Sequence, residues 1–312
     1  MITRAAAHAM GTRFEIALAG GEEWVLRAAG EAALAEVVEL EARLSVFRPG
    51  SLLSHVNRTA AERPVRLDGD TFALIAAALD LCRMTEGAFD ITVAPLMRAW
   101  GFHDASSSAT PAEPGVAVTG ADLVELDHRA CTIRFRRPGV ALDLGGIAKG
   151  HALACAAAAV REAGVSCALL HGGTSSVVAL GAPPGEEGWR VQIGAGEDAP
   201  VAVLRDICMS VSSPRGRMVE GAGGERLGHI LDPRTGAPAR GTAELAAVIA
   251  ESPVLAEGVS TAMIVLGRRP TGLPRSVTTV LHDREGGWLV EGEKMDLVRP
   301  AAGAALAAME NP

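Results

Sequence analysis

The chain contains no tyrosine, and aromatic residues make up only 3% of it. Binding of single-stranded nucleic acid by stacking bases on aromatic rings is therefore disfavoured. There is no basic excess either: the formal net charge is −8, so no positive stripe is offered to nucleic acid or to an anionic membrane surface. Phosphate binding, if any, has to be local. No apolar run reaches the roughly 20 residues that a membrane-spanning helix needs. The opening MITRAAAHAMGTRFEIAL has no continuous apolar stretch of the kind a secretion signal carries. The expected compartment is thus the cytoplasm, with no membrane span. The five cysteines, Cys82, Cys131, Cys155, Cys167 and Cys208, are odd in number and never form a Cys-x-x-Cys pair. They read as reduced core thiols, not as a disulfide framework or a thiolate metal site. What is present, 48% hydrophobic and 21% charged residues, is the composition of an ordinary globular protein. The length suffices for a large core.

The rest of the chain is organised around 143–150, DLGGIAKG, and the Ala-rich HALACAAAAVREAG after it. Ahead of them, CTIRFRRPGVALDL alternates at Ile133 and Phe135, turns at Pro138-Gly139 and runs on apolar. This predicts a β-hairpin that delivers Asp143 to a strand end. A strand, a glycine turn and a helix start collect free backbone N–H groups and the positive end of a helix dipole, which suits phosphate or pyrophosphate. Lys149 adds a point charge. The spacing matches neither the Walker loop, where lysine follows the last glycine, nor the dinucleotide fingerprint. A glycine-rich corner with a surface lysine is the plain alternative, and the octapeptide alone leaves both readings open.

Residues 11–20 place Phe14, Ile16 and Leu18 on one face of an opening strand, with Met10 just ahead of it. Residues 24–44 have helical spacing, stopped by Pro49-Gly50; the loop that follows carries Ser51, His55 and Asn57. Asp70 is read as the cap of a second helix with Phe72, Leu74, Ile75, Leu79 and Leu81 as its stripe and Gly87 at its end. GAFDITVAPLMRAWGF comes next, with Asp90 either a helix N-cap or part of a polar site. Residues 104–115, rich in Ser, Ala and Pro, read as a flexible loop or insertion. SCALLHGG, SSVVALG, WRVQIGAG and VAVLRDICMSVSS read as strands of an antiparallel or mixed sheet, SVTTVLHD and GWLVEG as a closing hairpin, and 301–312 as a C-terminal tail.

Two further stretches carry chemistry. In GHILDPRTG, His229 and Asp232 lie three apart, with Pro233 and Gly236 enforcing a turn, so both can converge on one ligand. An ordinary Asp-Pro turn is the alternative. In LAEGVSTAMIVLG, Glu257, Ser260 and Thr261 are neighbours on one helix face; a carboxylate and a hydroxyl there can hold a hard cation such as Mg²⁺, or merely cap the helix. His8, His103, His128, His171 and His282 have no ligand-like spacing and read as solvated or core residues, and His151 as a packing neighbour.

Taken in order, MGTRFEI, LSVFRPGS with Asn57, GAFDITVAPL, DLGGIAKG, HILDPRTG and GVSTA resemble the FAD:protein FMN transferase (ApbE) family over nearly the whole chain. The resemblance implies one domain over 1–312 with an α+β fold: mixed or antiparallel sheets with flanking helices, two-lobed about a flavin cleft. It implies transfer of FMN from FAD to a Ser or Thr hydroxyl of an acceptor protein, with release of AMP and dependence on Mg²⁺. Flavin contacts are expected from Met10, Phe47, Ala88, Phe89, Asp90, Asp143 and Lys149. Metal contacts are expected from the backbone near Gly146 and from Glu257 and Thr261. His229 matches the family's catalytic base, with Asp232 beside it.

Two positions depart from the family pattern. Glu257 stands where the family usually has Asp, and Phe47 where it often has tyrosine, which keeps a stacking face and loses a hydroxyl. The acceptor motif, resembling Ser/Thr-Gly-Ala-Thr/Ser, is missing: Thr119-Gly120-Ala121 is followed by Asp122 and Thr235-Gly236-Ala237 by Pro238. A separate acceptor is expected. The same site could instead hydrolyse FAD to FMN and AMP, or hold FAD without chemistry.

Overall fold

The computed structural model describes residues 2–103, 118–216, 218–220, 224–293 and 297–298. The expected loop at 104–115 and tail at 301–312 lie outside them. A hairpin opens the chain: β1 (Ile2–Ala9) and β2 (Thr12–Ala19), joined through Met10 and Gly11, both with positive φ. Helices α1 (Glu23–Leu44) and α2 (Leu52–Thr59) follow, then β3 (Val65–Arg66), α3 (Gly69–Met84), a 3₁₀ turn (Ile91–Val93) and α4 (Ala94–Ala99). Next come β4 (Val124–Asp127), β5 (Thr132–Phe135), α5 (Ala148–Glu162), β6 (Cys167–Gly172), β7 (Ser176–Leu180), β8 (Trp189–Gln192), β9 (Val201–Leu204) and β10 (Cys208–Ser212). The last third holds β11 (Met218–Glu220), β12 (Arg226–Gly228), β13 (Leu231–Asp232), β14 (Ala237–Pro238), β15 (Ala243–Ala250), α6 (Pro253–Leu266), β16 (Thr278–Asp283), β17 (Gly287–Glu291) and β18 (Leu297–Val298).

The central sheet has eight strands in the order β1-β2-β6-β7-β10-β15-β16-β17. Every pairing among the described strands is antiparallel. Its inner strands are covered on both faces, so they read as continuous apolar runs instead of alternating. On one face, Phe14, Ile16, Leu18, Leu170, Val178, Leu180 and Val248 join the helices in the main core. On the other, Leu169, Val177, Ala179, Met209 and Ile249 meet Trp189, Val191, Ala202 and Leu204 of a small sheet ordered β18-β9-β8. The molecule is therefore layered helices, sheet, sheet, and α5 and α6 cross on the helical side.

Three local expectations change. The alternation at Ile133 and Phe135 is a strand, but β5 pairs with β4 and β3, while 140–142 are buried outside any strand, with no hairpin back to β5. Asp68, not Asp70, caps α3: its carboxylate accepts from Thr71 N at 2.9 Å and Thr71 Oγ1 at 2.7 Å. The stretch after Pro49-Gly50 is a helix, α2, whose cap is Ser51, accepting from Ser54 N at 3.0 Å.

Candidate functional site

The glycine loop before α5 is fixed from outside itself. The Asn57 amide clamps Leu142 in both directions, accepting from its N–H at 2.7 Å and donating to its carbonyl at 2.9 Å. Asp143 N–H then donates to Ile91 O at 2.7 Å. Asp143 Oδ1 accepts from Gly145 N at 2.7 Å, and its other oxygen, Oδ2, lies 2.8 Å from His103 Nε2. The His103 ring in turn meets the Phe47 ring edge-on, with centroids 5.4 Å apart. Gly146 lies close under the Phe89 ring: a Cβ there would sit 3.0 Å from Phe89 Cε2, so any larger residue would have to push the ring aside. Phe47, Phe89, Asp143 and Gly146 are thus brought together, and His103 joins them.

Ala88, Phe89 and Asp90 are buried beside this loop. Asp90 fulfils its capping reading: Oδ1 accepts from Thr92 N and Thr92 Oγ1, each at 2.8 Å, at the start of the 3₁₀ turn. Burial raises its pKa, and the Cys82 thiol nearby is pushed up to about 12, by burial first and the Asp90 charge second. Cys82 is therefore an inert thiol at neutral pH. Met10 occupies the hairpin turn with φ of 51°, a conformation that is strained for a residue with a Cβ and that concentrates at functional sites; its side chain packs on the main core. No hydrogen bond or ring contact among the described residues ties it to the cluster.

The second half of the site is the crossing of α5 and α6. Gly150 permits it: a Cβ there would lie 2.6 Å from Pro253 O and 3.1 Å from Glu257 Cδ. Glu257, only 3% exposed, aims its carboxylate at the first turn of α5. Oε2 accepts from Gly150 N at 2.8 Å, and Oε1 accepts from Ser176 Oγ and pairs with Lys149 Nζ at 3.2 Å. The N-terminus of α5 does hold an anion, as its dipole favours, and that anion is Glu257. One turn on, Ser210, Ser212, Ser260 and Thr261 form a hydroxyl ladder: Ser212 Oγ is 2.8 Å from Ser260 Oγ and 3.3 Å from Thr261 Oγ1, and Ser210 Oγ is 3.3 Å from Ser260 Oγ. The period of two along β10 puts both of its serines on the α6 side.

Beyond Ser212 the chain enters the 213–216 turn, which carries the ladder toward His229. Pro214 O would be 2.2 Å from a Cβ on Gly228, and a Cβ on Gly216 would be 2.7 Å from His229 Cε1. His229 is half-buried in that contact. Asp232 closes the following turn: Arg234 donates to it through Nε and Nη2, both at 2.9 Å. Burial works against the charge on Asp232, but the Arg234 bonds win and hold its pKa below the ordinary value. Asp232 is therefore ionised and committed to its own turn, which is the turn-forming reading of the Asp-Pro pair.

Oxygen donors dominate the α5–α6 crossing, and among the described residues no three His, Cys, Asp or Glu side chains gather as a cage. A buried carboxylate beside hydroxyls suits a hard ion such as Mg²⁺, which takes one or two carboxylates and fills its shell with water and substrate oxygens. Glu257 has lone pairs beyond the three donors it already meets, so the residues present fit such an ion. His103, Ser176, Ser210 and Ser212 escaped the sequence reading because they lie 40 to 81 residues from their partners. Only the fold brings them in.

The ApbE family model matches residues 10–273. The chain belongs to the ApbE family. Among its relatives, the FAD:protein FMN transferase of Rhodobacter capsulatus is 32% identical over 268 residues, 83% of this chain and 50% of that protein. This ApbE chain thus spans half the length of that relative. The FAD:protein FMN transferase of Haemophilus influenzae is 29% identical over 242 residues, 73% of this chain and 70% of that one. Among solved structures, the ApbE protein of Thermotoga maritima superposes with a TM-score of 0.82 at 26% identity, covering 94% of this chain and 97% of that one. The flavin transferase ApbE of Vibrio cholerae gives 0.77 at 22% identity, covering 94% and 98%. The α+β fold with antiparallel sheets and flanking helices is accordingly that of ApbE proteins. No helix among the described residues is long and apolar enough to cross a membrane.

Proposed function

We propose that this ApbE chain transfers FMN from FAD to a Ser or Thr hydroxyl of a separate acceptor protein and releases AMP. The observation that carries the reading is the continuous path from Glu257 and Lys149, through the Ser212–Thr261 ladder, to the 213–216 turn against His229. It connects candidates for charge neutralisation with a candidate base. The relatives named FAD:protein FMN transferase point to the same chemistry.

In the reaction, the acceptor oxygen attacks the phosphorus on the riboflavin side of FAD; the new O–P bond forms as the bridging P–O bond breaks, and AMP leaves with that bridging oxygen. Such a transfer rests on in-line positioning and electrostatic stabilisation. His229 takes the acceptor proton, a role open to an imidazole that is neutral at physiological pH. Lys149, about a quarter exposed, presents its charge to the pyrophosphate while held by Glu257. Phe47, Ala88, Phe89 and Asp143 hold the flavin end, with Asp90 and Met10 supporting them and Asp232 fixing the turn after the base. Glu257, Thr261 and the backbone near Gly146 would hold Mg²⁺, which would neutralise charge on the phosphate oxygens.

The test is AMP release from FAD with and without Mg²⁺ and with and without an acceptor domain bearing a Thr motif, with the acceptor's intact mass read alongside. AMP that requires acceptor and Mg²⁺, with one FMN mass added, is expected. AMP without acceptor would mean a hydrolase, and bound FAD without AMP a flavin-binding protein. His229→Ala is expected to abolish transfer while FAD stays bound; unchanged transfer would remove His229 from the mechanism.

A further inference from the structure

Segment 94–103 runs from α4 and touches both the glycine loop before α5 and the turn after His229. At its end, His103 Nε2 is 2.8 Å from Asp143 Oδ2, and its ring supports Phe47 edge-on. Three residues earlier, Trp100 Nε1 donates to Gly236 O at 2.8 Å, on the far side of the turn that Asp232 and Arg234 close. Leu96 and Phe102 of the same segment pack with Leu231, two residues after His229, as a small apolar cluster separate from the main core.

We propose that His103 and Trp100 are positioning residues on one bracket, His103 for the flavin pocket and Trp100 for the loop that carries His229; this rests on the flavin-transfer reading. For Asp143, the Gly145 N–H meets one carboxylate oxygen and His103 meets the other, so loss of His103 removes the contact that orients the second oxygen. Phe47 is 59% exposed, and the His103 ring is the support that holds it toward the cluster. The ring nitrogen that faces the carboxylate carries a proton, so His103 donates to Asp143 through Nε2–H. On the other side, β13 and β14 pair through only two residues each, too little ladder to hold a hairpin in place by itself. The Trp100 hydrogen bond and the Leu231 cluster supply the anchor.

The two roles separate in one set of measurements: FAD affinity by flavin fluorescence, kcat for AMP release with acceptor, and thermal midpoint for His103→Ala, His103→Gln and Trp100→Phe. His103→Ala is expected to weaken FAD about tenfold or more, the size of a lost bond to a charged group. His103→Gln, whose amide can donate from nearly the same place, restores most of that affinity. Trp100→Phe keeps one aromatic ring and loses the pyrrole ring with its N–H, the thermal midpoint reporting the lost packing; it is expected to leave FAD affinity within about twofold and lower kcat about tenfold through misplacement of the base. Unchanged FAD affinity in His103→Ala, no rescue by Gln, or a Trp100→Phe effect on FAD affinity with kcat intact would each overturn the proposal. A wild-type chain that binds no FAD would instead overturn the flavin reading itself.

Discussion

Glu257 meets three donors, the Gly150 N–H, the Ser176 hydroxyl and the Lys149 ammonium, in a site that water hardly reaches. Glu257→Gln keeps the volume but places an amide N–H₂ against the Gly150 N–H or the Lys149 ammonium, which can only donate, while the Ser176 hydroxyl can turn to accept. The buried Gly150 N–H or the ammonium then loses its acceptor, a penalty of about 1–3 kcal/mol, and the carboxylate charge that suits a divalent ion is gone. The expected outcome is a lower urea midpoint together with weaker Mg²⁺ binding by titration calorimetry. An unchanged midpoint would mean that the carboxylate is not holding the α5–α6 crossing. Lys149 tolerates change better because it is partly solvated. At this scale the sequence displayed Glu257, Thr261 and Lys149 through their motifs. It could not display that Lys149 pairs with Glu257, because 108 positions separate them and the fold alone closes that distance.

The elements were legible where periodicity is long and illegible where it is short. The helical spacing of 24–44 and the apolar run of 263–266 became α1 and the end of α6, because burial of a continuous stripe decides such segments. An eight-residue helix such as α2, with Leu53 and Val56 as its buried apolar residues, offers two turns and little periodic signal. The 132–142 stretch misled for another reason: alternation identifies a strand without naming its partner, and β5 took β4 and β3. In DGDTF either aspartate can open a helix. The backbone chose Asp68, whose carboxylate reaches Thr71 N, and left Asp70 inside the first turn. Asp68→Ala should therefore cost about 1 kcal/mol, while Asp70→Ala should stay within about 0.5 kcal/mol. Parallel chemical denaturation of the two variants checks this, and the reverse order would return the cap to Asp70.

Across the whole molecule, acid stability depends on carboxylates that join distant elements. Glu86, after α3, receives two bonds from Arg268, after α6, at 3.1 and 2.7 Å, and two more from Thr271, through its N–H and its hydroxyl. These bonds, the Arg268 pair foremost, bring its pKa from 4.5 to about 2. Asp68, Asp232, Glu244 and Asp283 are lowered as well. A carboxylate whose folded pKa lies below its unfolded value binds fewer protons when folded, so its contribution is present above the unfolded pKa and disappears as pH falls through the folded one. Asp90 runs oppositely, since burial raises its pKa and its contribution fades as pH rises. His151 and His171, lowered from 6.5 by burial, favour the unfolded chain once pH drops below that value. The urea midpoint should therefore hold from pH 8 to 7, decline gently below pH 6.5, and fall steeply between pH 4.5 and 2. Glu86→Gln should lower the neutral midpoint slightly and flatten the last part of the fall. Because this ion pair is exposed, about 1 M salt should shrink the difference between wild type and variant. A variant curve that stays parallel to wild type down to pH 2 would show that the α3–α6 tie carries none of the acid sensitivity.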